Sequence, residues 1–197
     1  LDGLRADFDA VFLGLGLAGV NALGIEEPEA PGLRAAVDFI AELRQASDLS
    51  KLPVGRDVVV IGGGMTAVDA AVQSKLLGAE TATIVYRRGP ESMSASKHEQ
   101  DWAQQHGVSI RHWAAPLAVL TDGAQITGIR LAHTALQHGK LMQTQDSFTL
   151  PCDMVLRAIG QNYVPGPTGS AMALKQGRID TDAECKTSVA GVWAGGD

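Results

Sequence analysis

Residues 57–71 read Asp-Val-Val-Val-Ile-Gly-Gly-Gly-Met-Thr-Ala-Val-Asp-Ala-Ala, and Arg87-Arg88 stand twenty residues beyond Ala67. Apolar β-formers run into Gly62, Gly63 and Gly64, and an alanine-rich stretch follows. This is the pattern of a strand, a tight turn and a helix. Such a turn points backbone N–H groups and a helix N-terminus at a diphosphate. Gly62 permits the sharp turn and Gly64 lets the backbone approach the ligand. Met65 and Thr66 open the helix, and Ala67 with Ala70 and Ala71 keeps it close to the strand. In an NAD site the end of the next strand usually carries an acid for the ribose 2′-hydroxyl. Here Tyr86-Arg87-Arg88 occupies that place, and the first acid after it is Glu91. A carboxylate would repel a 2′-phosphate, whereas guanidinium groups bind it through charge-assisted, often bidentate bonds. The pattern points to NADP(H) rather than NAD(H).

Gly14-Leu-Gly16-Leu-Ala-Gly19 also matches G-x-G-x-x-G. A literal match counts only if a helix starts at the turn. Gly24, Pro28 and Pro31 follow, so the segment reads as a glycine-rich crossing strand without a dipole to hold a phosphate. The five histidines show no ligand spacing with Cys or acids, and no metal site is expected. No Ser/His/Asp or Cys/His set stands out, so no acid, base or nucleophile is assigned. Trp102 and Trp113 lie in apolar patterns and read as core or interface residues.

These residues need a scaffold. A short strand is expected over 8–15, then a loop to Gly32, a helix near 33–46 and a linker over 49–56. From Asp57 the pattern gives strand 57–61, helix 65–77, strand 81–86, helix 97–106 and strand 108–113. Ser96 and Glu99 have capping-box spacing, and Gly107 stops the helix. This β-α-β-α-β order is a mononucleotide-binding half with parallel strands. Strands at 117–120, 125–133 and 141–150, separated by Asp122-Gly123 and His138-Gly139, form an antiparallel three-strand meander. Strand 153–159 and a last strand 188–194 follow. The expected fold is α/β: a Rossmann-like domain over 56–160, flanked by residues 1–55 and 161–197.

The chain has 197 residues, 45% hydrophobic and 19% charged, with a formal net charge of −6. That is ordinary globular composition, and the charge argues against nucleic acid as a partner. No apolar run reaches the roughly 18–20 residues of a membrane span. Cys152 and Cys185 form no CxxC, which suggests a reducing, cytoplasmic setting. The chain starts at Leu1 and stops at Val192-Trp-Ala-Gly-Gly-Asp197, where a strand enters a turn. It is expected to be a piece of a longer polypeptide.

With these motifs assembled, the chain resembles the reductase module of the glutamate synthase small chain and dihydropyrimidine dehydrogenase family. The marks are Phe8-Asp-Ala-Val-Phe-Leu, Ala36-Val-Asp-Phe-Ile40, Val58-Val-Val-Ile-Gly-Gly-Gly, Ile84-Val-Tyr-Arg-Arg88, Ala158-Ile-Gly-Gln161 and Val192-Trp-Ala-Gly-Gly-Asp197. Leu13-Gly-Leu-Gly-Leu and Phe39-Ile-Ala-Glu-Leu-Arg44 look closer to the NAD(P)-dependent dihydropyrimidine dehydrogenase subunit. The resemblance implies a two-dinucleotide-binding flavoprotein reductase, its FAD domain interrupted by an NADPH domain and preceded by a region carrying 4Fe–4S clusters. It implies that Gly63, Gly64, Met65, Thr66, Arg87 and Arg88 contact NADPH. It also implies that Ala158, Ile159 and Gly160 pass near the nicotinamide and that Asp197 binds the FAD ribityl chain. Position 65 is often Asn or Asp in such proteins and is Met here; Met-Pro-Ala after the arginine pair is here Met93-Ser-Ala95. The implied partners are the rest of the polypeptide and a catalytic subunit, with NADPH delivering hydride to FAD. The isolated piece is then expected to bind NADPH without being a competent reductase. A non-catalytic dinucleotide-binding module is the alternative from another class.

Overall fold

A computed structural model describes residues 1–17, 19–166, 168 and 172–196, which divide into two compact units. One is Val20–Gly160; the other joins Leu1–Gly19 to Gln161–Asp197.

In the Val20–Gly160 unit, β1 (Leu33–Ala35) leads directly into α1 (Ala36–Gln45). Then come β2 (Asp57–Gly62), α2 (Met65–Leu76), β3 (Thr81–Val85), α3 (Lys97–Gln105) and β4 (Val108–Arg111). The meander is β5 (Ala114–Asp122), β6 (Gln125–Gln137) and β7 (Lys140–Pro151), and β8 (Met154–Ala158) closes the unit. The main sheet is parallel, in the order β1-β8-β2-β3-β4.

Strand residues feed two cores in alternation. Val58, Val60, Ile84, Met154 and Leu156 face the three helices, packing with Phe39, Val72 and Ala103. Val59, Ile61, Val85 and Val155 face the meander, packing with Ile126, Ile129 and Leu131. A parallel sheet covered on both sides needs continuous apolar strands, and Val58-Val-Val-Ile61 is one. The result is three layers: helices, parallel sheet, antiparallel meander.

The expected helix 33–46 is shorter at its start. Leu33, Arg34 and Ala35 pair with Val155, Leu156 and Arg157 instead, because that sheet edge offers backbone partners that helical periodicity does not register. The buried face of α1 is Ala36, Phe39 and Ile40. The boundary expected at residue 55 falls inside this compact unit. Residues 20–55 belong with the central unit, since β1 and α1 complete its sheet and core. Asp153 secures the start of β2, its carboxylate accepting from the Arg56 and Asp57 amides at 2.9 and 3.0 Å.

The Ser96–Glu99 capping box is present, with both reciprocal bonds made. The meander strands run longer than expected. His138 and Gly139, at φ 51° and 76°, form the left-handed two-residue turn between β6 and β7.

In the other unit, residues Val11–Leu13 pair in parallel with Val192–Ala194. Val11, Leu13, Met172, Val192 and Ala194 form its core. A small hairpin joins Leu174–Lys175 to Arg178–Ile179. The Gly14–Gly19 motif follows the short strand, and no helix starts among the described residues between it and Ala36. It therefore lacks the helix a phosphate loop requires.

Candidate dinucleotide-binding site

The glycine turn sits at the carboxyl ends of β2 and β8, where Gly62 lies opposite Ala158. Ligands of open parallel sheets bind at this end of the strands. Gly62 has φ 156°, and a Cβ there would strike the Ala158 carbonyl. A Cβ on Gly63 would overlap the Tyr86 ring, and one on Gly64 would come 3.1 Å from the Ser94 hydroxyl. The backbone thus packs too closely for side chains at its first two positions.

Gly64 is the N-cap of α2, and no side chain among the described residues caps the helix. The Gly64 carbonyl accepts from the Ala67 and Val68 amides at 3.0 and 3.2 Å. The Met65 and Thr66 amides belong to the first turn, where a helix has no carbonyl four residues back. They are available to an anion, with the positive end of the helix dipole behind them. Met65 is 66% exposed and offers no polar contact of its own. Ala67, by contrast, is fully buried against the strand layer.

Arg87 and Arg88 follow β3. Both are exposed, and neither forms an ion pair among the described residues. Their backbone is pinned nonetheless. The Tyr86 amide donates to Arg111, and the Ala114 amide donates to Tyr86. The Arg87 carbonyl accepts from the Thr134 hydroxyl at 2.8 Å, and the Arg88 carbonyl from the Trp113 amide at 3.2 Å. Two free cations on a fixed backbone can bind a phosphate dianion.

Residues 89–95 fold back over the glycine turn. The Tyr86 hydroxyl donates to the Ser92 carbonyl at 2.6 Å. The Ala95 amide and the Ser94 hydroxyl donate to the Gly63 carbonyl at 3.0 and 3.4 Å. Tyr86 and Ser94 were not among the sequence candidates; adjacency to Arg87 was the only signal for the former, and none pointed to the latter.

At the end of β8, the Asn21 side chain donates to the Ile159 carbonyl at 3.1 Å. The Asn21 amide donates to the Gly160 carbonyl at 3.3 Å. Gly160 has φ 85°, so the chain turns sharply after the strand. Arg157 beside it pairs with Glu27 at 2.7 Å. The structure therefore brings Gly62–Ala67 and Ala158 together at one sheet end, with Arg87 and Arg88 just past the end of the neighbouring strand. Asp197 lies outside the described residues.

The sequence profile of the family described as "Pyridine nucleotide-disulphide oxidoreductase" matches residues 2–197. The chain belongs to this family. Among its relatives, the glutamate synthase [NADPH] small chain of Escherichia coli is 31% identical over the whole chain, which spans 47% of that protein. The NADPH-Fe(3+) oxidoreductase subunit beta of Geobacter sulfurreducens is also 31% identical, with 34% of its length covered. The NAD-dependent dihydropyrimidine dehydrogenase subunit PreT of Salmonella typhimurium is 31% identical over 93% of the chain and 37% of that protein. The chain thus spans between about a third and about half of these relatives. Both proteins named in the sequence resemblance are among them, at equal identity.

Structural likeness places this family member in the two-dinucleotide-binding reductase fold. The NADPH complex of FprA from Mycobacterium tuberculosis superposes with a TM-score of 0.73 at 21% identity, covering 99% of this chain and 59% of that one. T. acidophilum thioredoxin reductase gives 0.73 at 19% identity, covering 95% and 57%.

Proposed function

We propose that this chain is the NADPH-binding module of a flavin-dependent oxidoreductase. The observation that carries the reading is the helix behind Gly62–Gly64, which no side chain among the described residues caps, together with two guanidiniums past the end of the next strand that make no ion pair among those residues. The geometry fits the coenzyme at both ends. The glycine turn lies tight against Ala158 and Tyr86 with the first-turn amides of the helix unmet, and the charge on Arg87 and Arg88 is not spent on carboxylates.

In this reading the Gly64, Met65 and Thr66 amides hold the diphosphate, while Arg87 and Arg88 bind the 2′-phosphate. Ala158–Gly160 borders the nicotinamide end, where Ala158 and Gly160 carry little or no side chain. When bound, NADPH would supply hydride chemistry for a flavin of the parent protein. The relatives' names support this: two of them specify NADPH. The protein's part is orientation and charge. FAD would be held by the residue 1–19 and 161–197 unit with further segments of the parent, Asp197 meeting the ribityl chain. The 4Fe–4S clusters belong to other segments, and the electrons pass to a catalytic partner subunit. The setting proposed is the reducing cytoplasm. Among the described residues no helix is long and apolar enough to cross a membrane.

The experiment is direct titration of NADPH and NADH by coenzyme fluorescence. Arg87→Ala with Arg88→Ala should weaken NADPH by about 10- to 100-fold, the worth of charged hydrogen bonds, and NADH by less than about threefold. Equal losses for both coenzymes would count against the assignment.

A further inference from the structure

Thr134 on β6 is a buried polar residue, 6% exposed, at a place where the meander departs from regular pairing. Its neighbours on the strand pair with β7 out of step: Ala132 lies opposite Ser147, but Thr134 lies opposite Gln143. The extra residues of β7 are taken up there, and such irregularities re-aim side chains. The Thr134 hydroxyl donates to the Arg87 carbonyl at 2.8 Å. Its amide donates to the Trp113 carbonyl at 2.9 Å, and the Trp113 amide donates in turn to the Arg88 carbonyl at 3.2 Å. Trp113 adopts φ 58° to do so, a left-handed conformation that costs a bulky residue energy and persists only where its surroundings impose it. One threonine therefore closes a ring of hydrogen bonds around the peptide that carries both arginines.

We propose that Thr134 is a positioning residue for coenzyme selectivity, holding the Arg87-Arg88 backbone so that both guanidiniums converge on the 2′-phosphate. This rests on the NADPH reading above. A long side chain loses much rotamer freedom when it binds an anion. Fixing the backbone beneath it leaves only the side-chain part to be ordered. A valine would fill the same volume but leave the Arg87 carbonyl without its donor. The loosened peptide affects only contacts made by the arginines. The diphosphate contacts at Gly64–Thr66 lie on another turn, which is bonded by Ser94 and Ala95 rather than by the Arg87-Arg88 peptide.

The test measures NADPH and NADH dissociation constants on the 197-residue chain for the wild type, Thr134→Val, Thr134→Ser and the double arginine variant. Thr134→Val should lower the NADPH preference by about fivefold to tenfold, with NADH changed less than about twofold, as expected for one lost hydrogen bond. Thr134→Ser, which keeps the hydroxyl, should stay within about twofold of the wild-type ratio. If the valine variant does not fold, Thr134→Ala takes its place with the same expectation. An unchanged ratio, equal weakening of both coenzymes, or a serine variant that behaves like valine overturns the proposal. If the arginine variant collapses the ratio and Thr134→Val does not, the positioning role fails while the NADPH reading stands. If the arginine variant itself leaves the ratio intact, the NADPH reading fails.

Discussion

Cys152 and Cys185 are both free thiols, but their surroundings give them different chemistry. Cys152 lies in the core between the sheet and the meander. Burial, with the carboxylates of Asp153 and Asp57 adding to it, pushes its pKa from 9.0 up to about 12. A protonated thiol is a poor nucleophile, so Cys152 is inert at neutral pH although the family is described by disulphide chemistry. Cys185 is exposed. A thiol reagent at pH 8 should therefore modify one cysteine per native chain and two in denaturant; a second fast-reacting native thiol would contradict the burial argument. The shift also has a consequence for stability. A thiol with a raised folded pKa holds its proton more tightly in the native state. Its contribution is complete below about pH 9 and is lost as pH rises toward about 12, at up to about 1.4 kcal/mol per pH unit. Urea melts at pH 8 and pH 10.5 should show a smaller decline for Cys152→Ala than for the wild type.

At the scale of the element, the glycine turn separates packing from binding. Alanine at Gly62 meets backbone of β8, which cannot move without unpairing Gly62 from Ala158. Alanine at Gly63 meets the Tyr86 ring, which is held by its bond to Ser92. Each should destabilise the chain by about 1–3 kcal/mol through overpacking. At Gly64 the nearest atom is a serine hydroxyl that can rotate away, so Gly64→Ala should cost less than about 1 kcal/mol in a urea melt. It should nevertheless weaken NADPH by about tenfold or more, because the new methyl stands where the backbone must approach the diphosphate. A Gly64→Ala variant that binds normally would remove the diphosphate from this turn. The turn was legible because three constraints coincide in sequence: a buried strand, glycines without room for Cβ, and a helix start. The Ser96–Glu99 cap was legible for a similar reason, as its bonds lie within four residues. The β1 strand was not, because Leu33–Ala35 is held by β8 more than a hundred residues later, and local periodicity carries no trace of that partner. Thr134 was hidden for the same reason: its hydroxyl bonds to Arg87, 47 positions away.

For the whole molecule, the two-unit division changes what can be expected of the parts. The sequence places the start of the nucleotide domain at residue 56, after the linker with Pro53 and Gly55. In the structure the preceding segment supplies an edge strand and a helix to the same core. Phe39 is 1% exposed against the helix layer, and Leu33 packs on the meander side. Cutting at residue 56 would remove Phe39 from the core, uncover one edge of β8 and release Asn21 from the Ile159 carbonyl. Cutting at residue 20 removes none of these. Both cores of the central unit, the glycine turn, the arginine pair and Thr134 all lie within residues 20–160. A fragment of those residues should fold cooperatively and bind NADPH within about threefold of the full chain, less than the loss of one hydrogen bond to a charged group. A fragment of residues 56–160 should be unstable, since losing Phe39 alone removes contacts worth about 3–5 kcal/mol in a packed core. Urea melts and NADPH titrations of the two fragments decide between the boundaries. Equal stability and affinity for both would mean that β1 and α1 are accessory, and the boundary would return to residue 56.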